Sequence, residues 1–504
     1  MKNFIWVKNM KMILVHKKQK RGERKLSKRK NSRSSKSEKR KLNKQTWVVT
    51  VFFSIIFFFM IGYYVYFIVA DSQEVASNSY NKRVDDRQEK IQRGTIYASH
   101  GEKLAYSDPG STGNKNRHYP YGKTFAHVVG ISTHGKSGLE KSCNFDLLST
   151  RDTPFQEIIN DFKGTKEKGA DVYTTLKVGL QKNCYNALGD RKGAVFAMNP
   201  KTGAVLACVS RPSYNPETID SIWKKLAKDS KDSRLVNRGT QGKYTPGSIF
   251  KTFTALEFMK EDSDFKDFKY NCHGYTKVGN AKIHCFDGKA HYQVNLRDAY
   301  AYSCNSAFAT IGRELKMNKF RSTCETALFN KELPLDIEST KSRFNLDSDS
   351  GEWDIASTSI GQGTTTVSPA HMCMVASAIY NKGVLMKPYL VDSVVNSYDV
   401  IVKTTDPDEY KEIIPEEYAK KLKSYMRSVC KYGTANMMAY SSYKAYGKTG
   451  TAELNSDDDI NSWFMGFAKK GKKKIAIAVC LEDIKQGSGS ATSVAKEIFD
   501  EYLG

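Results

Sequence analysis

Between residues 46 and 70 the chain carries no charged side chain, and before residue 143 it carries no cysteine. The first 45 residues hold only 2 acidic side chains against 18 Lys and Arg. No internal repeat is present, so a solenoid or array is excluded. Gly447-Lys448-Thr449 invites comparison with a phosphate-binding loop, but that pattern needs a glycine five residues earlier, where Ser442 stands. Nucleotide chemistry at that motif is thereby excluded. Of the formal net charge of +25, the first 45 residues supply +16, which leaves only +9 on the other 459. The run Lys17-Lys18-Gln19-Lys20-Arg21 first suggests nucleic-acid binding, which would need that charge on a folded face. It belongs instead to a tail that ends at a charge-free stretch, and no nucleic acid is expected as a partner.

That stretch is the first positive signal. Trp47 to Ala70 spans 24 residues rich in Phe, Ile, Val and Tyr, with Trp47 at one end and Tyr63, Tyr64 and Tyr66 towards the other. A helix of this length is about 36 Å long and crosses a hydrocarbon core of about 30 Å. A buried core helix would not be preceded by such a basic tail. A cleaved signal peptide would have a shorter apolar run and a better cleavage site than Ile68-Val69-Ala70. The excess of Lys and Arg predicts a cytoplasmic tail (1–45), one span (46–70) and an exported remainder. The tail then has anionic lipid, or a membrane partner, as its natural contact.

The exported part reads as a stalk and small β-rich membrane-proximal module (71–165), followed by an α/β (α+β) domain (166–504). Ser72 to Ile91 has a helical look, and Arg93 to Tyr97 and Lys103 to Ala105 read as strands. In the larger domain, Val172 to Leu176, Gly193 to Met198, Ala204 to Val209, Ser462 to Ala468 and Lys474 to Val479 are expected strands, and Ala491 to Tyr502 a closing helix. Strands from both ends of the domain would form one sheet backed by a helical middle.

All ten cysteines lie in the exported part, and most sit singly in apolar stretches, as Cys208 and Cys480 do. These read as small buried hydrophobes. Cys272 and Cys285 instead flank an expected hairpin at Lys277 to Lys282. A disulfide, unpaired thiols and a zinc clip with His273 and His284 are the alternatives, and the spacing matches no standard finger. No metal and no cofactor is expected.

Three short motifs carry the chemistry. Ser248-Ile249-Phe250-Lys251 follows the breaker Thr245-Pro246-Gly247 and opens an apolar helix, so Ser248 and Lys251 share one face near its first turn. A buried lysine has its pKa lowered by desolvation and can take a serine proton. Ser303-Cys304-Asn305 lies on a second helix, capped by Asn295. There Ser303 can relay protons, Asn305 can orient Lys251, and Cys304 is read as a bystander. Lys448-Thr449-Gly450-Thr451 reads as an edge strand. Lys448 and Thr449 would meet a carboxylate, Gly450 would let substrate approach, and the Thr451 N–H would form an oxyanion hole with that of Ser248. Singly each motif is weak, since S-x-x-K also occurs at Ser27, Ser79, Ser221, Ser441 and Ser493.

In this order the motifs resemble those of the penicillin-binding protein and serine β-lactamase superfamily, S-x-x-K, S-D-N and K-T-G. The resemblance extends to Asn237-Arg238, Tyr244-Thr245-Pro246-Gly247-Ser248, Pro212 to Pro216, Ser359-Ile360-Gly361-Gln362-Gly363 and Trp463 to Ala468. Upstream, Arg93-Gly94-Thr95-Ile96 and Gly138-Leu139-Glu140 are similar to the membrane-proximal module of class B penicillin-binding proteins, although Ala98, Ser99 and His100 depart from the family's usual continuation. Cover runs over about residues 90–504, in the manner of the compact division- or elongation-associated members.

The resemblance implies a penicillin-binding transpeptidase fold and a peptidoglycan D,D-transpeptidase. Ser248 would attack the carbonyl between two terminal D-Ala residues of a stem peptide, with Lys251 as base. β-Lactams would acylate the same serine, and a SEDS-type glycan polymerase would be the membrane partner. Two rivals are a hydrolase, either β-lactamase or carboxypeptidase, and a non-enzymatic β-lactam sensor or scaffold. The class A deacylating context E-x-x-L-N is broken here, because Phe329 stands where Asn belongs after Glu325. Sensors of this fold carry several membrane spans.

Overall fold

The computed structural model describes residues 3–67, 91–113, 116–150, 167–229, 232–454, 459–487 and 489–504. The chain divides into two units, Met1–Asn78 and Ser79–Gly504.

Among its described residues the first unit contains one helix, Asn3–Tyr66. Its Asn43–Tyr66 portion, 24 residues, is long and apolar enough to cross a membrane and is not buried within the protein. The span expected at 46–70 therefore starts slightly earlier, and residues 68–70 and most of the expected stalk (Ser72 to Ile91) lie outside the described residues. The large side chains along it, Phe52, Phe53 and Phe57 to Phe59, are exposed, as suits a lipid-facing surface.

In the second unit a six-stranded sheet orders as Ile401–Thr404, Val391–Val395, Asp171–Thr174, Ile96–Tyr97, Lys103–Ser107 and Arg117–His118. The strand at Val172 thus lies between strands from 96–118 and from 391–404, and not in the five-stranded sheet of the larger domain where it was expected. It runs parallel to Ile96–Tyr97, with Ile96 opposite Val172, and both side chains are fully buried. Beside this sheet is a buried ionic knot. Arg93 Nε lies 2.6 Å from Glu140 Oε2, and Arg117 Nε lies 2.8 Å from Glu140 Oε1, with the side chains almost completely excluded from solvent. Arg93 also donates to the Glu140 carbonyl at 2.6 Å. The two upstream segments singled out in the sequence, Arg93-Gly94 and Gly138-Leu139-Glu140, are thereby tied to each other.

A five-stranded antiparallel sheet forms the larger domain in the order Lys444–Glu453, Asp459–Lys470, Lys473–Lys485, Gly193–Met198, Val205–Arg211. Strands from both ends of the domain do assemble one sheet. Successive side chains of a strand face opposite ways, so Phe464 packs on Phe499 of the Ala491–Leu503 helix while Phe467 packs on Tyr380 of the Pro369–Tyr380 helix. Both faces are covered, which explains the nearly unbroken apolar runs Ala194 to Met198 and Trp463 to Phe467. Lys444–Glu453 is the edge strand, and the turn Gly247–Phe250 and the helix Glu416–Lys431 pack against it.

Candidate active site

Thr245-Pro246-Gly247 leads into a 3-10 turn, Gly247–Phe250, that passes directly into the helix Lys251–Glu261. Three contacts hold this turn. Trp463 Nε1 donates to the Thr245 carbonyl at 3.0 Å, and the Gly247 N–H donates to the Gly361 carbonyl at 2.9 Å. Phe250 inserts behind it into a cluster of Phe253, Phe320, Phe329 and Phe344. Gly247 has φ +55°, and a Cβ there would stand 2.4 Å from the Thr451 carbonyl oxygen. Glycine is therefore required where the turn meets the edge strand. Ser248 is left half-buried at the surface of this joint.

Lys251 is fully buried. Its Nζ donates to Ser248 Oγ at 3.1 Å, Asn305 Oδ1 at 2.6 Å, the Ser303 carbonyl at 2.7 Å and Ser303 Oγ at 3.1 Å. An ammonium has three protons for these four acceptors. Burial lowers its pKa to about 8, opposed by the nearby Cys304 and Cys285 thiols. Once neutral, the amine has a lone pair to accept a hydroxyl proton, and Ser248 is in reach.

Ser303-Cys304-Asn305 does not lie within one helix as expected, but joins Leu296–Ala301 to Asn305–Glu314, with Asn305 opening the second helix. Asn295 caps the first helix as read from the sequence, its side chain accepting the Asp298 N–H. That helix then closes with a paired C-terminal motif, Ser303 N–H to the Tyr300 carbonyl and Cys304 N–H to the Ala299 carbonyl. Ser303 takes the left-handed position usually given to glycine, at φ +59°. The helix must stop there, which turns the Ser303 hydroxyl back towards Lys251. Cys304 Sγ caps the next helix by accepting the Ala307 N–H. Asn305 Nδ2 donates to the His284 carbonyl at 2.8 Å, which fixes Oδ1 towards Lys251.

Lys448, on the edge strand, is also fully buried and donates to Ser303 Oγ at 3.0 Å and to the Thr449 carbonyl at 3.0 Å. Burial first, then the charge of Lys251, pushes its pKa well below the usual lysine range. Thr449 and Thr451 remain half-exposed, and Thr449 Oγ1 pairs with Thr434 Oγ1 at 2.6 Å. Gly450 has a packing role beside the substrate approach expected of it. A Cβ there would meet the Pro246 carbonyl at 2.9 Å and Ile249 Cγ2 and Trp463 Cβ at 3.1 Å, so the glycine lets the strand close on the serine turn.

The penicillin binding protein transpeptidase domain profile matches residues 193–502, well over half of the chain. The chain belongs to this family. The penicillin binding protein A dimerisation domain profile matches residues 93–172, the region of the Arg93–Glu140–Arg117 knot. A curated relative, peptidoglycan D,D-transpeptidase PbpA of Mycolicibacterium smegmatis, is 29% identical over 438 residues, covering 80% of this chain and 87% of the relative. Among solved structures, the D,D-transpeptidase domain of a peptidoglycan glycosyltransferase from Eggerthella lenta is 30% identical with a TM-score of 0.72, covering 82% of this chain and 99% of that one. The imipenem acyl-enzyme complex of penicillin-binding protein A from M. tuberculosis is 26% identical with a TM-score of 0.74, covering 83% and 100%.

This penicillin-binding protein thus gathers Ser248, Lys251, Ser303, Asn305 and Lys448 into one hydrogen-bonded network, with Thr449, Gly450 and Thr451 on the adjoining strand. Other quoted segments prove to be its frame. Arg238 pairs with Glu482 at 2.6 Å, and Tyr244 donates to the same carboxylate at 3.0 Å. Thr434 and the His284 carbonyl were not foreseen. Gly433-Thr434 just past a helix was the available signal for the first, while a backbone carbonyl leaves none. Cys272 and Cys285 are not joined by a disulfide, their sulfurs lying 3.7 Å apart.

Proposed function

We propose that this chain is a membrane-anchored peptidoglycan D,D-transpeptidase that works through an acyl-enzyme on Ser248. The observation that carries the reading is Lys251 Nζ, buried, 3.1 Å from Ser248 Oγ and held by Asn305 and Ser303. Neutral Lys251 takes the Ser248 proton as Oγ adds to the carbonyl between the two terminal D-Ala residues of a stem peptide. The Ser248 and Thr451 N–H groups receive the oxyanion. The C–N bond then breaks, and the leaving amine of D-Ala takes a proton delivered through Ser303, which joins Lys251 to Lys448. An acceptor amine of a second stem peptide attacks the ester, loses its proton to the same network and frees Ser248, forming the crosslink. The half-exposed Thr449 and Thr451 meet the terminal carboxylate, with the buried charge of Lys448 beneath them. A β-lactam opens on Ser248 by the same first step.

Glu325, the residue considered for hydrolysis, is engaged with Arg321 at 3.5 Å on the helix Met317–Thr326. Transfer to an amine is therefore the reading retained over hydrolysis. The basic tail lies on the cytoplasmic side against anionic lipid, the catalytic domain lies outside the plasma membrane, and a SEDS-type glycan polymerase is the membrane partner. Division into a membrane-proximal module (71–165) and a transpeptidase domain (166–504) belongs to the same proposal.

The test is covalent labelling of the full chain with a fluorescent penicillin. A stable adduct on wild type, lost in Ser248→Ala, is expected. Full labelling of Ser248→Ala, or rapid release of hydrolysed penicillin, would overturn the assignment.

A further inference from the structure

The segment between the two catalytic helices, residues 270–294, is built from very short strands. Tyr270–Cys272 pairs with Tyr292–Val294, and Tyr275–Val278 pairs with Ala281–His284. Its apolar core is slight, since Val278, Ile283 and Val294 are its buried aliphatic side chains. Elements this small need a staple in place of a core.

Four donor atoms converge at its base. Cys272 ends the first strand, Cys285 follows the hairpin, His291 precedes the returning strand, and Cys304 is the middle residue of Ser303-Cys304-Asn305. Their sulfur and ring-nitrogen atoms all lie within 4.8 Å of one another. Cys272 Sγ is 3.7 Å from Cys285 Sγ and 3.5 Å from His291 Nδ1, and Cys285 Sγ is 3.8 Å from Cys304 Sγ. A tetrahedral zinc with Zn–S of about 2.3 Å and Zn–N of about 2.0 Å has S–S edges of about 3.8 Å and S–N edges of about 3.5 Å. These three distances match such a tetrahedron and are about twice the length of an S–S bond.

Groups that stabilise thiolates surround the sulfurs. The Gly274 N–H donates to Cys272 Sγ at 3.4 Å, the Ala307 N–H to Cys304 Sγ at 3.5 Å, and Ser306 Oγ lies 3.1 Å from Cys285 Sγ. Gly274, at φ +88°, has no room for a Cβ, which would stand 2.3 Å from the Gly288 carbonyl oxygen. The Cys285 N–H donates to the Gly274 carbonyl at 2.8 Å. The turn carrying Cys272 is thus bent tightly against the one carrying Cys285, and backbone donors are aimed at the sulfurs as in metal-thiolate knuckles.

We propose that Cys272, Cys285, His291 and Cys304 form a structural zinc site that clamps the 270–294 segment to the Ser303-Cys304-Asn305 joint. Three thiolates and one imidazole in a tetrahedron select zinc among common divalent ions. With four protein ligands the ion has no open position, so it takes no part in acyl transfer. Its effect is positional. Cys304 is flanked by Ser303 and Asn305, and Asn305 is oriented by His284, the residue before Cys285. Holding Cys304 to Cys285 therefore holds both partners of Lys251. Cys304 is a ligand and no bystander, and the zinc alternative for Cys272 and Cys285 stands with His291 and Cys304 in place of His273 and His284.

The test uses the full chain purified in detergent under reducing conditions. Elemental analysis is expected to find about one zinc per chain, removable by a chelator. Cobalt replacement is expected to give thiolate-to-cobalt absorption bands of a tetrahedral three-thiolate site. His291→Gln, altering a half-buried ligand, is expected to weaken zinc retention while the protein still folds, and Cys272→Ser to abolish it. Chelation is expected to slow fluorescent-penicillin acylation on the order of tenfold to a hundredfold, with recovery on adding zinc. Wild-type protein that is metal-free, takes up neither zinc nor cobalt, and leaves all three thiols open to alkylation would overturn the proposal. So would a disulfide mapped between two of them in protein purified without oxidant, or another metal retained in preference to zinc. Metal content is read independently of labelling, so failure of the Ser248 assignment leaves this test intact.

Discussion

Lys251 and Lys448 reach the same hydroxyl, Ser303 Oγ, at 3.1 and 3.0 Å. Two buried amines on one serine oxygen cannot both carry full charge at low cost, since each penalises the other and neither meets a carboxylate in the network. The arrangement favours a neutral amine at rest, which is the state a base needs.

The acylation rate should therefore rise with pH and level off above about 8, the pKa to which burial lowers Lys251. At pH 7.5 about a quarter of such an amine is neutral, against about one part in a thousand for an ordinary lysine. Stability moves the same way. The unfolded chain binds the proton more tightly, so the penalty for burying Lys251 is complete below about 8 and fades as pH rises towards the ordinary lysine value. Lys251→Met should hold its fold at pH 7 with an unchanged or higher Tm, yet fail to acylate. Stopped-flow labelling across pH, with thermal denaturation of the variant, checks both. Normal acylation by a folded Lys251→Met would remove Lys251 from the role of base.

Ser303 pairs strain with function. Its left-handed backbone, φ +59°, costs a non-glycine residue roughly 1–2 kcal/mol. Ser303→Gly should recover part of this and raise Tm, while losing the hydroxyl that links the two lysines. Labelling should slow by about a hundredfold or more. Ser303→Ala keeps the strain and loses the hydroxyl, so it should slow equally without the gain in Tm. Faster melting of Ser303→Gly than of Ser303→Ala would refute the strain argument.

Glu140 is the single carboxylate between Arg93 and Arg117 in their buried knot. Burial pushes its pKa up, but the two guanidiniums outweigh this and hold it below the usual carboxylate range. A depressed carboxyl contributes stability above its unfolded pKa and loses it as pH falls through the folded value. The module should thus resist mild acid and come apart only in stronger acid. Glu140→Gln leaves two buried guanidiniums uncompensated, and a loss of roughly 3–5 kcal/mol is expected in urea denaturation. A change within 1 kcal/mol would show that the knot does not hold the module.

Local signals in the sequence carried the larger domain. The apolar runs at Ala194 to Met198 and Trp463 to Phe467 are legible as strands, and Thr245-Pro246-Gly247 marks the turn before Ser248. What was not legible was non-local. A four-residue strand such as Asp171–Thr174 does not say which sheet it joins. A serine bears no mark of a left-handed backbone, so the sequence reads a second helix here without locating its break at Ser303. Cys304 lies 13 residues beyond His291 and 32 beyond Cys272, and their convergence is a product of the returning strand Tyr292–Val294.

Gly450 separates a packing role from a substrate-approach role. A Cβ at this position would press the Pro246 carbonyl from 2.9 Å, and backbone cannot swing aside as a side chain can. Gly450→Ala should therefore push the edge strand away from the turn that carries Ser248, destabilising the domain by about 1–3 kcal/mol. Lys448 rides on the same strand, so its 3.0 Å contact with Ser303 should lengthen and acylation should slow even for small β-lactams. If the glycine served only to admit bulky substrate, small β-lactams would acylate Gly450→Ala at the wild-type rate and its Tm would not move. Labelling with a small and a large β-lactam, alongside calorimetry of the same variant, decides between the two.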